Sequence, residues 1–357
     1  MTSQPTSPDS DDELVPDEPL TTKEGWRRFT DHRTEPPAEP DSTTLSERGR
    51  TELEQARRDY HSDLPLANTP TIRQVLSTGR LLIQLNRRQI SARRGLIVSG
   101  DSGTGKTTAL TQFGRTHEHV VRRRHPGPAG QHRIPVVYVT VPTAATPKML
   151  AVELARFYGL AFNSRATMPE IVNTVCAVAA RTHVELVLVD EIHNLDLATR
   201  SGAEVSDQLK YFAERLPATF AYAGIEVEER GMFAGARGRQ IAGRFSLIRS
   251  TPFDYGTDQQ RTAWKALIGT LESTLRLHHH KPGTLVGLAD YLFERTGGMI
   301  GSLSQLVRGS AVLAIDDGGE YITRDLLDRV PVDHAAVLSR PQRRKRTRPA
   351  PTTQAGA

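Results

Sequence analysis

The chain has 357 residues, a formal net charge of +5 and a sequence pI of about 9.4, with 37% hydrophobic and 24% charged residues. At roughly 100–200 residues per domain this length suits two domains or one large one. No apolar run approaches the ~20 residues that cross a bilayer, the acidic start MTSQPTSPDSDDEL is no signal peptide, and Cys176 is the only cysteine. Those facts exclude membrane-spanning, disulfide-scaffold and cysteine–zinc classes, so a soluble, cytoplasmic protein is expected.

The charge is spread unevenly. Residues 1–41 carry eleven acids and four bases, a net −7 that leaves +12 for the remainder. This stretch is rich in Pro, Ser and Thr and poor in branched apolar residues. It is expected to be a disordered acidic segment, because it cannot bury enough surface to offset chain entropy. Residues 42–65 read as an N-terminal helical extension, opened by the capping box Thr44-Leu45-Ser46-Glu47 and running to about Tyr60. Thr71–Asn86 shows apolar residues at helical spacing, interrupted by Gly79.

Five β-type runs follow: Gly95–Ser99, Val136–Val141, Leu186–Asp190, Ala218–Ala223 and Phe245–Ile248. Helical patterns at Thr107–His117, Lys148–Tyr158, Met168–Thr182 and Val205–Leu216 separate the first four. That alternation predicts a parallel sheet with helices on both faces, and the unbroken apolar strands agree with two covered faces. The α/β core is placed at residues 66–256. From about Thr257 the strand signal stops, and Gln259–Leu277, Leu285–Arg295, Ser302–Ile315 and Thr323–Arg329 predict a helical unit over 257–333. The last stretch, 334–357, carries six bases and no acid between Arg340 and Arg348. It is expected to be a disordered basic tail attracted to polyanions.

Gly100-Asp101-Ser102-Gly103-Thr104-Gly105-Lys106-Thr107 fits G-x-x-x-x-G-K-[ST] and sits between a strand and a helix, as that motif requires. Glycines let backbone N–H groups curl around phosphates, and the helix N-terminus adds partial positive charge. Lys106 is assigned to the β- and γ-phosphates and the Thr107 hydroxyl to Mg²⁺. Thr108 completes the nucleotide-binding set, so ATP and Mg²⁺ are the expected cofactors. Leu186-Val-Leu-Val-Asp190-Glu191 is the second half: a buried strand with acids where it emerges, about 85 residues beyond the P-loop. Asp190 is assigned to Mg²⁺ through water and Glu191 to the attacking water. The bland alternative is an acidic strand end that caps the next helix. The spacing also predicts a strand inserted between the P-loop strand and the Asp190 strand.

Asp190-Glu-Ile-His-Asn-Leu195 resembles the Walker B motif of the TniB/TnsC group of AAA+ ATPases, which regulate DNA transposition. Thr69-Pro70, Arg94-Gly95-Leu-Ile-Val, Ile134–Pro142, Gln240-Ile-Ala-Gly-Arg244-Phe245 and Thr296-Gly-Gly-Met-Ile-Gly301 are similar to the same group, in order, over about residues 60–330. The resemblance implies a P-loop AAA+ fold with a five-stranded parallel sheet and a C-terminal α-helical lid. It also implies an ATPase that assembles on DNA as a homo-oligomer, holds ATP at subunit interfaces, and recruits or activates a transposase or integrase. Arg244 matches the group's Gln-x-x-x-Arg-Phe arginine and is the arginine-finger candidate, given in trans. It could equally pair an acid at the start of the fifth strand, and Arg237 and Arg239 are rivals.

Two departures stand out. The end of the fourth strand reads Ala223-Gly224-Ile225-Glu226 and lacks the polar sensor of many AAA+ proteins. The lid helix opens Met299-Ile300-Gly301-Ser302, and Arg308 lies two turns beyond the position of a second sensor arginine. Slow, DNA-stimulated hydrolysis with ATP as an assembly switch is therefore expected. Arg87-Arg88 with Arg93-Arg94, Arg122-Arg-Arg-His125 and the tail are candidate non-specific DNA contacts, or simply solvated faces. His278-His-His280 reads as a polar helix end rather than a metal site, Cys176 as core, and His193 as a group that either orients the acids or caps a helix. Rival functions are an initiator- or helicase-loader-type AAA+ ATPase, which usually carries a winged-helix domain after the lid, and a signalling P-loop switch without DNA.

Overall fold

Strands dominated by aliphatic and β-branched residues build the sheet. β1 (Gly95–Ser99), β2 (Val136–Thr140), β3 (Leu186–Asp190) and β4 (Thr219–Gly224) are buried almost end to end, whereas β5 (Phe245–Arg249) is partly exposed. The order is β2-β3-β4-β1-β5. β1, β3 and β4 pair in parallel, as do β2 and β3, with Thr140 opposite Asp190 and Ser99 opposite Gly224. The expected insertion is thus observed: β4 lies between the P-loop strand and the Asp190 strand. The computed structural model describes residues 18–37, 46–163, 165–195, 211–229 and 243–332.

Helices join these strands. They are α1 (Lys23–Asp31), α2 (Glu47–Ser62), α3 (Pro70–Asn86), α4 (Lys106–Arg124), α5 (Pro147–Phe157) and α6 (Met168–Arg181), followed by α7 (Asp258–Glu272), α8 (Ala289–Thr296), α9 (Ile300–Asp316) and α10 (Arg324–Arg329). Their starts are written in the chain. Thr167 with Glu170 and Thr257 with Gln260 form capping boxes, and Thr146 caps α5 ahead of a proline at the helix start. Among the described residues no single helix is long and apolar enough to cross a membrane. The helix expected at Val205–Leu216 is described only over 211–215.

The chain falls into two units. The first comprises Met1–His32, Gln74–Ser99 and Thr107–Ile248 and holds the sheet. Its core includes Leu96, Ile97, Leu110, Phe113, Leu186 and Tyr222, all essentially inaccessible to solvent. Asn86 closes the turn from α3 into β1: its Nδ2 donates to the Arg94 carbonyl (2.6 Å) and to Thr219 Oγ1 (2.9 Å), and its Oδ1 accepts from the Arg94 N–H (3.0 Å).

Disorder expected across residues 1–41 is corrected by α1 at Lys23–Asp31, while residues 1–17 and 38–41 lie outside the described residues. Thr22 caps it by accepting the Gly25 N–H at 3.0 Å, and Trp26 is 1% exposed. Average composition hid this helix, because one indole supplies the buried surface that the flanking prolines and acids cannot.

The second unit comprises Arg33–Arg73, Gly100–Lys106 and Arg249–Ala357. Its apolar cluster unites Tyr60, Leu64 and Ala67 with Trp264, Leu285, Leu303 and Leu327. The expected N-terminal extension is therefore part of the helical lid unit rather than a separate piece. Arg57 on α2 clamps Glu320 through two hydrogen bonds of 2.6 and 2.5 Å and reaches the Arg276 carbonyl at 3.1 Å. The linear boundaries expected at 66 and 257 thus do not coincide with the units.

Candidate functional site

The P-loop leaves β1 at Gly100 and ends where Lys106 opens α4. Within its unit the loop is held from outside. Ser250 Oγ donates to the Thr104 carbonyl (2.9 Å), Thr104 Oγ1 to the Asp101 carbonyl (2.8 Å), and the Gly301 N–H at the head of α9 to the Gly103 carbonyl (3.0 Å). A Cβ on Gly100 would stand 1.9 Å from the Ser250 carbonyl oxygen, so only glycine fits that corner. Lys106 is 7% exposed, and its Nζ donates to the Asp101 carbonyl at 2.7 Å, curled over the loop. Thr107 and Thr108 follow in the first turn of α4, with Thr107 exposed. A side-chain-poor loop, a buried ammonium and a helix N-terminus are the donor set that suits a phosphate chain.

The acids sit at the carboxyl end of β3, in the other unit. Asp190 is 2% exposed. Its Oδ1 accepts the Glu191 N–H (2.9 Å) and its Oδ2 accepts the Tyr138 hydroxyl (3.1 Å). Burial, with the Asp190 charge adding to it, pushes the Tyr138 phenol well above its ordinary value, so it remains a donor. Glu191 adopts a left-handed backbone, φ 56° and ψ 35°, which turns the chain sharply out of the strand. Such strain in a non-glycine residue gathers at functional positions.

His193 lies one short turn on. Its Nδ1 accepts the Ile225 N–H (3.2 Å) and stands 3.3 Å from Glu191 Oε2. One ring nitrogen serves one of these at a time: unprotonated it accepts from Ile225, protonated it donates to Glu191. His193 can therefore engage either Glu191 or the end of β4, whose own residues Ala223-Gly224-Ile225 carry no polar side chain. Ser99, at the end of β1, is a hydrogen-bond partner of Glu228 and accepts the Val227 N–H (3.0 Å).

Arg244 precedes β5 and pairs an acid, Glu214 at 3.2 Å, which lies in the helical stretch before β4 and not at the start of β5. Arg237, Arg239 and the basic tail lie outside the described residues. Arg122 pairs with Glu118 (3.0 Å), Thr30 Oγ1 (3.0 Å) and Asp31, while Arg123 and Arg124 are exposed. Arg87 lies 3.8 Å from Glu185, while Arg88 and Arg94 are exposed. Arg308 is exposed on α9. His280 Nε2 sits 3.0 Å from Glu272 Oε1 in the loop beyond α7, which ends five residues earlier than expected. Burial raises the Cys176 thiol.

Sequence reasoning missed Ser250, Tyr138 and Glu228. Ser250 and Glu228 carry no motif. Tyr138 sits in an apolar strand and shows its role only through its register with β3.

A family model described as bacterial TniB protein matches residues 65–255. Among solved structures, the ORC2 protein of Aeropyrum pernix, in ADPNP and ADP complexes, superposes with a TM-score of 0.59 at 13% identity, covering 77% of this chain and 71% of that one. The ORC1 protein of the same organism, in complex with DNA, gives 0.53 at 16%, covering 78% and 67%. Cdc6p of Pyrobaculum aerophilum gives 0.51 at 16%, covering 74% and 68%. At such identities the likeness is one of fold, and that fold is the P-loop AAA+ ATPase. No curated protein matches the chain.

Proposed function

Because the chain belongs to the bacterial TniB family, we propose that it is an ATP- and Mg²⁺-dependent regulator of DNA transposition, which assembles on DNA and recruits or activates a transposase. The observation that carries the nucleotide half is the P-loop with its buried Lys106 in a chain whose Asp190-Glu191 step ends a parallel strand two places from β1. The transposition half is supported by family membership.

In this reading the Gly100–Lys106 backbone and the Lys106 ammonium bind the phosphates, and Thr107 and Asp190 would hold the metal. Magnesium, when bound, would neutralise charge on the β- and γ-phosphate oxygens. Glu191, oriented by its left-handed backbone, takes the proton of the attacking water. His193 holds that turn against the β4 end. Arg244 would leave Glu214 to reach the γ-phosphate of a neighbouring subunit. Non-specific DNA affinity would come from Arg88, Arg94, Arg123, Arg124 and the tail, through phosphate contacts that weaken as salt rises.

The test has two parts. Lys106→Ala should abolish uptake of a fluorescent ATP analogue in the presence of Mg²⁺; unchanged uptake sinks the nucleotide reading. Duplex DNA added with ATP should raise light scattering, and about 0.5 M salt should reverse it. Scattering indifferent to DNA would favour a switch protein of the signalling type.

A further inference from the structure

The Asp190 carboxylate is held by a group that the P-loop motifs do not include. We propose that Tyr138 is a positioning residue for Asp190, and that α1, through Trp26, holds Tyr138 in place, so that docking of the N-terminal helix sets the metal affinity of the site. This rests on the nucleotide reading above and adds a controlling element to it.

The geometry runs outward from the acid. Tyr138 sits on β2 opposite Leu188, two residues before the Thr140–Asp190 pair. Both strands point these side chains to one face, so the phenol of Tyr138 spans the gap to Asp190 Oδ2 at 3.1 Å. Oδ1 is taken by the Glu191 N–H. Each carboxylate oxygen thus has one fixed donor, which sets the plane of the group and leaves its remaining lone pairs directed elsewhere.

The phenol ring is fixed in turn by stacking on Trp26, with ring centroids 5.8 Å apart and planes 14° from parallel. Trp26 enters a slot cut in α4: a Cβ on Gly114 would lie 2.6 Å from the indole, so a larger residue there would expel it. The indole Nε1 donates to Glu118 Oε2 at 3.4 Å, and Phe29 packs 5.4 Å from the indole. Arg122 then ties the end of α1 down through Thr30 and Asp31, and the Arg115 guanidinium lies 5.5 Å over Phe29 while bonding the His32 carbonyl. Trp26, Tyr138 and Asp190 are 1%, 4% and 2% exposed, so the relay is dry from end to end. An aromatic filler would need neither the hydroxyl bond to the acid nor the polar anchors on α1.

Hydrogen-bonded partners of metal-ligating carboxylates typically change metal affinity by about 10–100-fold when removed. The test measures binding of a fluorescent ATP analogue at equilibrium while MgCl₂ is titrated. It uses the full chain, Tyr138→Phe, Trp26→Leu and the double variant. Tyr138→Phe keeps the ring, its stacking and its burial, and removes only the hydroxyl. Its Mg²⁺ midpoint should rise about tenfold, with analogue affinity in EDTA unchanged. Trp26→Leu should shift the midpoint the same way, and the double variant should go no further than the larger single change. Should Trp26→Leu fold poorly by circular dichroism, Asp31→Asn, at the exposed end of α1 where Arg122 ties it down, loosens the helix without touching the core, and its midpoint should also rise. A Tyr138→Phe midpoint equal to that of the unaltered chain overturns the positioning role. A shift in Tyr138→Phe with none in any α1 variant overturns the control by α1. Absence of Mg²⁺-dependent uptake in the unaltered chain removes the nucleotide reading itself, and this proposal with it.

Discussion

Arg57 offers a sharp test of how α2 is joined to the lid helices. Its guanidinium and the Glu320 carboxylate meet in a two-pronged pair with side chains only 9% and 13% exposed. Burial alone would raise the Glu320 carboxyl, but the hydrogen bonds and charge of Arg57 outweigh it and hold the group below its ordinary value. Arg57→Ala strips the partner and leaves a carboxylate in a nearly dry pocket. Removing one side of a buried pair costs about 3–5 kcal/mol, far more than the pair itself is worth. For a unit of this size that corresponds to a melting shift of about 10–20 °C.

The two tryptophans make the reading clean, because Trp26 lies in the sheet unit and Trp264 in the helical unit. In a Trp26→Phe background, Trp264 emission follows the helical unit alone. Arg57→Ala should lower that transition by the stated amount. Replacing both partners, Arg57→Met with Glu320→Met, should restore most of it, since an apolar pair carries no desolvation penalty. A single variant melting within about 2 °C of its parent would refute the claim that the clamp holds α2 in place.

Three further outcomes are expected. Glu191→Gln should retain the nucleotide while turnover falls about 10²–10⁴-fold, measured by phosphate release; undiminished turnover would free Glu191 of its role as base. Asn86→Ala, which loses three hydrogen bonds at the α3–β1 turn, should cost the sheet unit about 2–3 kcal/mol, read from Trp26 emission in a Trp264→Phe background. The third concerns pH. His61 donates from Nδ1 to the Arg57 carbonyl (2.7 Å) and accepts the Arg276 N–H at Nε2 (3.1 Å), so it is held neutral. Burial, with the Arg57 and Arg276 charges, lowers it from the ordinary 6.5. The unfolded chain then takes up a proton first, so the stabilisation is complete above about pH 6.5 and is lost as pH falls through that value toward the folded pKa. The Trp264 melting temperature should drop across that range, and His61→Gln should flatten the dependence.

What the chain declares locally is its pair of motifs, the P-loop and the Asp190-Glu191 strand end. Gly100–Thr107 and Leu186–Glu191 are contiguous strings in which period, composition and motif agree, so the fold class and the insertion of a strand between the P-loop strand and the Asp190 strand could be read directly. The TniB resemblance rested on the same kind of contiguous signal. What only the tertiary structure decided involves residues far apart in the chain. Trp26 meets Tyr138 across more than a hundred residues, Arg57 meets Glu320 across 263, and Ser250 caps a loop 146 residues away. No local period encodes such pairs. A lone tryptophan in an acidic, proline-rich stretch looks solvated until a glycine-lined slot on another helix receives it. The division into units follows the same rule: α2 and the P-loop segment join the lid because buried apolar area and paired charge, not adjacency in sequence, determine which surfaces cohere.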